Sequence, residues 1–207
     1  HVQNLIDSVE YAKENFAGKI VLGGASMGGP LAYSAACQCD VDALVCWCLW
    51  DFSDREYMLK ETTTGKLTYL LMPFFKLGAK FFGDLRLKTY RLVSYETLTD
   101  SQEMNELVKK DPQAGTHVTL EGAASLILDS APPVKHENFE LPTLVFQPGA
   151  DEMTPKYYSE KAYKELGSKT KKYIELEGAP HFPTEDKYYS RWVEETDEFL
   201  KRIFNFI

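Results

Sequence analysis

Gly24-Ala25-Ser26-Met27-Gly28 sets a serine between two glycines, after the apolar run Ile20-Val21-Leu22 and before the small residues Pro30 to Ala36. G-x-S-x-G between a strand and a helix is the pattern of a nucleophile elbow, a turn tight enough to hold its central residue in a strained backbone conformation. Small residues on both sides, Gly24 and Gly28, let strand and helix approach. Ser26 is then expected to raise its hydroxyl above the sheet. The Met27 amide, at the start of the next helix, is expected to donate to a developing oxyanion. Taken alone, five residues also fit a glycine-rich loop without chemistry.

A serine hydroxyl of ordinary acidity is a weak nucleophile, so it needs a base within hydrogen-bond reach and an acid to orient that base. Of the four histidines, His1 is terminal, His117 follows Gln113-Ala114-Gly115-Thr116, and His136 follows Pro132-Pro133-Val134-Lys135. His181, in Gly178-Ala179-Pro180-His181-Phe182-Pro183, directly follows a predicted strand, which puts it at the same sheet edge as Ser26. Asp151, in Phe146-Gln147-Pro148-Gly149-Ala150-Asp151, stands at the carboxyl end of another strand. A carboxylate after the second strand, Asp51 or Asp54, is the rival acid. The order Ser26, Asp151, His181 is that of an α/β-hydrolase triad, not of chymotrypsin-like or subtilisin-like enzymes.

The elements that would carry these residues are legible from periodicity. Val2, Leu5, Ile6, Val9, Ala12 and Phe16 follow the helical repeat, with Gly18 as a stop, and feed a strand over Lys19 to Gly23. A helix of small residues runs from the elbow to about Gln38, and Ala43 to Leu49 is a second strand. Thr143 to Phe146 and Lys172 to Leu176 are two more, separated by a helix over Lys156 to Leu166, and Asp186 to Phe204 closes as an amphipathic helix. Short apolar strands alternating with helices predict an α/β fold with a mostly parallel, doubly wound sheet.

Residues 52–140 break that rhythm. They contain no convincing strand and read as helices over Leu67 to Phe82, Ser101 to Lys109 and Leu120 to Leu128. The expected organisation is a core of 1–51 and 141–207 with a helical cap insertion over 52–140, above the strand ends where open α/β sheets bind ligands. Leu70-Leu71-Met72-Pro73-Phe74-Phe75 and Phe81-Phe82 are more apolar than a solvated cap needs. They suit packing onto the core or, at Phe74 and Phe75, a lining for an acyl group.

Composition narrows the partners. With 207 residues, 44% apolar and 26% charged, the chain is an ordinary globular protein, and its net charge of −8 disfavours nucleic acid. Tyr69 to Phe82 is too short and too interrupted by Pro73, Lys76 and Lys80 to span a bilayer. No signal peptide is visible. Cys37-Gln38-Cys39 and Cys46-Trp47-Cys48 lack the usual spacing of a structural zinc site, and Cys46 and Cys48 would share one strand face as small buried hydrophobes. Reduced thiols and no metal are expected, which points to the cytoplasm.

Three segments together resemble the α/β-hydrolase superfamily, in the group of monoglyceride-lipase-like and serine-aminopeptidase-like hydrolases. The nucleophile motif G-x-S-M-G-G matches Gly24 to Gly29, the acid motif G-x-D with a following Thr-Pro matches Gly149 to Pro155, and G-x-x-H-F matches Gly178 to Phe182. Ala25 stands where that group often has histidine. The resemblance implies a serine hydrolase acting through an acyl-enzyme on a small-molecule ester or thioester, without a cofactor, with Ser26 as nucleophile, His181 as base and Asp151 as its orienting acid. Amide or peptide cleavage, peroxidation or C-C hydrolysis on the same triad, and a hydrolase-like binding or signalling protein with little turnover are the alternatives.

The family's domain has about eight strands, and only four are visible here. The apolar strand after Gly18 would be bare at a sheet edge, where it invites aggregation. The expectation is therefore that roughly 80 further residues precede this chain, or that another copy completes the sheet. Those residues would carry the second oxyanion donor, leaving the Met27 amide as the one supplied here.

Overall fold

The computed structural model describes residues 1–54, 65–89, 94–115, 117–128 and 131–205, with side chains left undescribed over 65–73 and 127–128. In chain order the elements are α1 (Val2–Asn15), β1 (Val21–Ala25), α2 (Gly28–Ala36), β2 (Ala43–Trp47), α3 (Gly65–Phe82), β3 (Arg86–Lys88), α4 (Gln102–Lys110), β4 (His117–Thr119), α5 (Leu120–Leu128), β5 (Thr143–Pro148), α6 (Lys156–Glu165), β6 (Lys171–Leu176) and α7 (Asp186–Phe204). They divide into two compact units, 1–50 with 132–207, and 51–131.

The first unit is built on a four-stranded sheet in the order β1-β2-β5-β6, with every neighbouring pair parallel. β2 and β5 are buried along their whole length, as the apolar runs Ala43-Leu44-Val45-Cys46-Trp47 and Thr143-Leu144-Val145-Phe146 require of central parallel strands. Side chains alternate between the two faces. Leu22, Leu44, Cys46 and Val145 share one hydrophobic cluster with Val9 of α1, Ala32 and Tyr33 of α2, and Ala162 of α6. On the opposite parity, Trp47 and Phe146 stack on each other at 6.2 Å, and Trp192 of α7 meets both edge-on at 6.4 Å. Helices thus cover both faces of the sheet. Lys172 of β6 adds ion pairs to Glu195 and Glu198, at 2.6 and 2.8 Å, which help seat α7.

Residues 132–140, expected within the insertion, fall in the first unit. The Tyr33 hydroxyl donates to the Val134 carbonyl at 2.8 Å, the Gly167 amide donates to the His136 carbonyl at 2.8 Å, and Phe139 packs on Tyr33 with 4.5 Å between rings. Polar-looking linker composition concealed these anchors, because Pro132-Pro133 reads as a spacer.

The second unit contains the three expected helices, α3, α4 and α5. It also corrects the expectation of a strandless insertion: β3 and β4 form an antiparallel ribbon, Arg86 opposite Thr119, Leu87 opposite Val118 and Lys88 opposite His117. Three-residue strands with one half-buried residue each are too short to leave a periodic signal. Ser101 caps α4 by accepting the Met104 amide, and the buried Asn105 ties that helix to the carbonyls of Glu96 and Thr99. The side chains of Leu70, Leu71 and Met72, expected to pack or line, lie outside the described residues. None of the described helices is long and apolar enough to cross a membrane.

Burial holds the thiols protonated. Cys46 and Cys48 are fully buried and their ionisation is pushed well up, chiefly by loss of hydration; Cys37 is raised by the same cause to about 11. The unfolded chain therefore loses thiol protons from about pH 8.5 upward while the folded chain keeps them, so stability falls as pH rises. Urea midpoints measured from pH 7 to 10 should be level at first and then decline, as the unfolding free energy falls by about 1.4 kcal/mol per pH unit for each of Cys46 and Cys48. A level midpoint through pH 10 would contradict this burial.

Candidate active site

The elbow is made by a collision that only glycine avoids. A Cβ on Gly24 would stand 2.0 Å from the Gly28 carbonyl oxygen, and one on Gly29 would stand 2.1 Å from the Cys48 carbonyl oxygen. The second close approach was missed in the sequence, where Gly28 was expected to be the small residue; a Cβ on Gly28 meets nothing within 4 Å. With α2 this near the tips of β1 and β2, Ser26 is driven to φ +53°, a left-handed conformation that costs a non-glycine residue about 1–2 kcal/mol. Its amide donates to the Trp47 carbonyl at 2.8 Å and its carbonyl accepts from Gly29 at 2.9 Å, so the strained turn is tied at both ends.

Three side chains predicted from the sequence meet in the first unit. His181 Nε2 lies 2.7 Å from Ser26 Oγ, and His181 Nδ1 lies 2.7 Å from Asp151 Oδ2. An ionised carboxylate only accepts, so the proton in the second bond is on Nδ1 and Nε2 is left to accept from the serine hydroxyl. The Asp151 and His181 side chains are 0% and 1% exposed. In that dry setting the carboxylate needs donors, and Asp151 Oδ1 accepts the Met153 and Thr154 amides, both at 2.8 Å. Gln147, wholly buried, holds this loop by donating to the Thr154 carbonyl at 3.0 Å.

The histidine loop is fixed in the same way. Gly178 turns at φ +74°, the Ala179 carbonyl accepts the Ala150 amide at 2.9 Å, and the His181 carbonyl accepts the Trp47 indole N–H at 2.8 Å. Trp47 therefore touches both the serine turn and the histidine loop. The sequence carries no signal for this role, because the apolar run predicts a strand continuing to Leu49, whereas β2 ends at Trp47.

The other candidates fall elsewhere. Asp51 Oδ1 accepts from Ser53, amide and hydroxyl, in a local turn, so the carboxylate on His181 is Asp151 and not this rival. His136 is buried beside Glu165 at 3.6 Å and stacks edge-on to Tyr33, and His117 is exposed on β4. Met27 precedes α2, which puts its amide at the positive end of that helix. Phe74 and Phe75 lie on α3 of the second unit, the first exposed and the second half-buried.

The cysteines do not share one role. Cys46 packs in the core, whereas Cys48, just past the end of β2 at φ +66°, leaves the strand alternation and directs its sulfur 3.6 Å from Asp151 Oδ2. Among the described residues, Cys48, Asp151 and His181 form the one group whose ligand atoms could share a cation, all within 4.8 Å. The carboxylate and imidazole are engaged with each other, and burial together with the Asp151 charge keeps the thiol protonated. This donor set favours hydrogen bonding over metal ligation.

Replacing Gly29 by alanine forces backbone apart at the elbow. We expect Gly29→Ala to lower stability by roughly 3 kcal/mol in urea unfolding, and Gly28→Ala to cost under about 1 kcal/mol. Equal effects would contradict the close approach described.

A sequence profile described as "Serine aminopeptidase, S33" matches residues 1–187. A search of curated proteins finds no match. Among solved structures, the monoacylglycerol lipase of Paleococcus ferrophilus superposes with a TM-score of 0.69 at 16% identity, covering 96% of this chain and 76% of that one. A soluble variant of monoglyceride lipase from Saccharomyces cerevisiae, bound to a substrate analogue, gives 0.69 at 16% identity, covering 98% and 67%. An esterase from Thermogutta terrifontis gives 0.55 at 17% identity, covering 98% and 71%. At such identities the structures speak for the fold, and the profile speaks for the family. The chain has the α/β-hydrolase fold and belongs to the serine aminopeptidase S33 family of hydrolases.

Proposed function

We propose that this protein is a serine hydrolase that cleaves a carboxylic ester of an apolar acyl group through an acyl-enzyme. The observation that carries the reading is the continuous chain Ser26 Oγ, His181 Nε2, His181 Nδ1, Asp151 Oδ2, with both links at 2.7 Å and the serine on a strained turn before a helix. Ser26 Oγ attacks the carbonyl carbon as its proton passes to His181 Nε2. Asp151 stabilises the resulting imidazolium and keeps the ring oriented. The oxyanion forms near the positive end of α2, where the Met27 amide donates to it. The imidazolium then protonates the leaving alcohol, and water, deprotonated by His181, releases the acid and restores Ser26.

Ester cleavage is supported by the likeness to lipases and an esterase, and the apolar acyl group by the aromatic sequence of α3, with Phe74 and Phe75 as its lining. Thioesters follow the same steps. The family description favours a second reading, cleavage of an amide at a peptide N-terminus, because the same catalytic group serves either acyl donor. The four free cysteines fit a reducing compartment such as the cytoplasm.

A comparison of substrates separates these readings, and variants test the mechanism and the lining. On p-nitrophenyl esters, kcat/KM should rise from acetate to octanoate and exceed that on aminoacyl p-nitroanilides; the reverse preference would support the peptidase reading. Ser26→Ala and Asp151→Asn should each lower kcat by about 10⁴-fold or more with circular dichroism unchanged. Activity that survives Ser26→Ala would reject the covalent mechanism. Phe75→Ala should reduce octanoate turnover and spare acetate, and equal losses on both would reject the lining.

A further inference from the structure

We infer that Cys48 is a positioning residue for the catalytic group: its thiol donates to the Asp151 oxygen that holds His181, and so sets how strongly the imidazole proton is drawn to the carboxylate. This rests on the reading of Ser26, His181 and Asp151 given above.

The geometry is specific. Cys48 is completely buried, and its amide is fixed to the Phe146 carbonyl at 2.8 Å. At φ +66° its backbone adopts a conformation that L residues avoid, and the result is a sulfur 3.6 Å from Asp151 Oδ2, not one in the sheet's alternation. Its carbonyl is the atom that a Cβ on Gly29 would strike, so the residue that touches Asp151 is also pressed against the elbow.

Chemistry assigns the direction of the bond. Burial, the Asp151 charge and the neighbouring Cys46 all oppose thiolate formation, with the Thr154 hydroxyl acting the other way and Tyr173 nearby. The thiol is therefore neutral and donates, and the carboxylate accepts. Asp151 then receives four donors: two amides on Oδ1, and the imidazole and the thiol on Oδ2. A donor removed from Oδ2 leaves more negative charge for the Nδ1 proton, which tightens that bond and favours imidazolium. A sulfur that only filled space would have no such effect.

The test uses Cys48→Ala and Cys48→Ser, with His181→Gln to assign the low-field proton resonance of Nδ1–H. In Cys48→Ala that resonance should move downfield, and the acid limb of kcat/KM on a p-nitrophenyl ester should move to higher pH by about half a unit. Cys48→Ser, which restores a donor, should return both towards the wild type. If alanine moves neither, or if alanine and serine move them alike, the thiol is packing and the proposal is wrong. The resonance is read without turnover, so a wild type that hydrolyses no ester but shows the alanine and serine pattern would reject the ester reading and retain this one.

Discussion

The close approach of the start of α2 to the tips of β1 and β2 is the constraint on which the candidate site depends. Two backbone contacts that exclude any Cβ, Gly24 against Gly28 and Gly29 against Cys48, bring a helix N-terminus to the strand ends. The strain at Ser26 is a consequence, and so is the position of Met27. Core packing supplies the offset: Leu44, Leu144, Val145 and Phe146 are fully buried, each contributing about 1.5–3 kcal/mol.

β2 distributes that constraint to the other loops. From two successive residues at its end, the Trp47 carbonyl holds the serine turn, the Trp47 indole holds the histidine loop, and the Cys48 thiol reaches Asp151. Three segments distant in sequence are thus registered against a single strand end. The buried Asp151 to His181 bond would be unfavourable without this arrangement, since a carboxylate at 0% exposure has no water to satisfy it. Its donors are instead supplied by two backbone amides, an imidazole and a thiol.

Much of this was legible in the sequence, for physical reasons. Gly24 to Gly28 carries a turn whose steric demands admit few residues, Asp151 follows the wholly buried apolar run of β5, and His181 follows the half-buried β6, where lysines and a glutamate stand among Tyr173, Ile174 and Leu176. The role of Cys48 was not legible, because strand alternation assigns it to the face of Cys46 and only a positive φ, invisible in a non-glycine residue, turns it away. The ribbon of Arg86–Lys88 and His117–Thr119 escaped for another reason. Its pairing is non-local, and each strand is shorter than the window in which periodicity emerges. The anchoring of Val134 and His136 on the first unit depends on Tyr33 and Gly167, contacts that composition does not encode.

The central claim is that Ser26 is a nucleophile activated by His181. Treatment of the folded protein with a fluorophosphonate, followed by peptide mapping, addresses it directly. One phosphonyl adduct is expected, on Ser26, with its formation slowed by orders of magnitude in His181→Ala. An adduct on another residue, or labelling of Ser26 at the same rate without the imidazole, would contradict it.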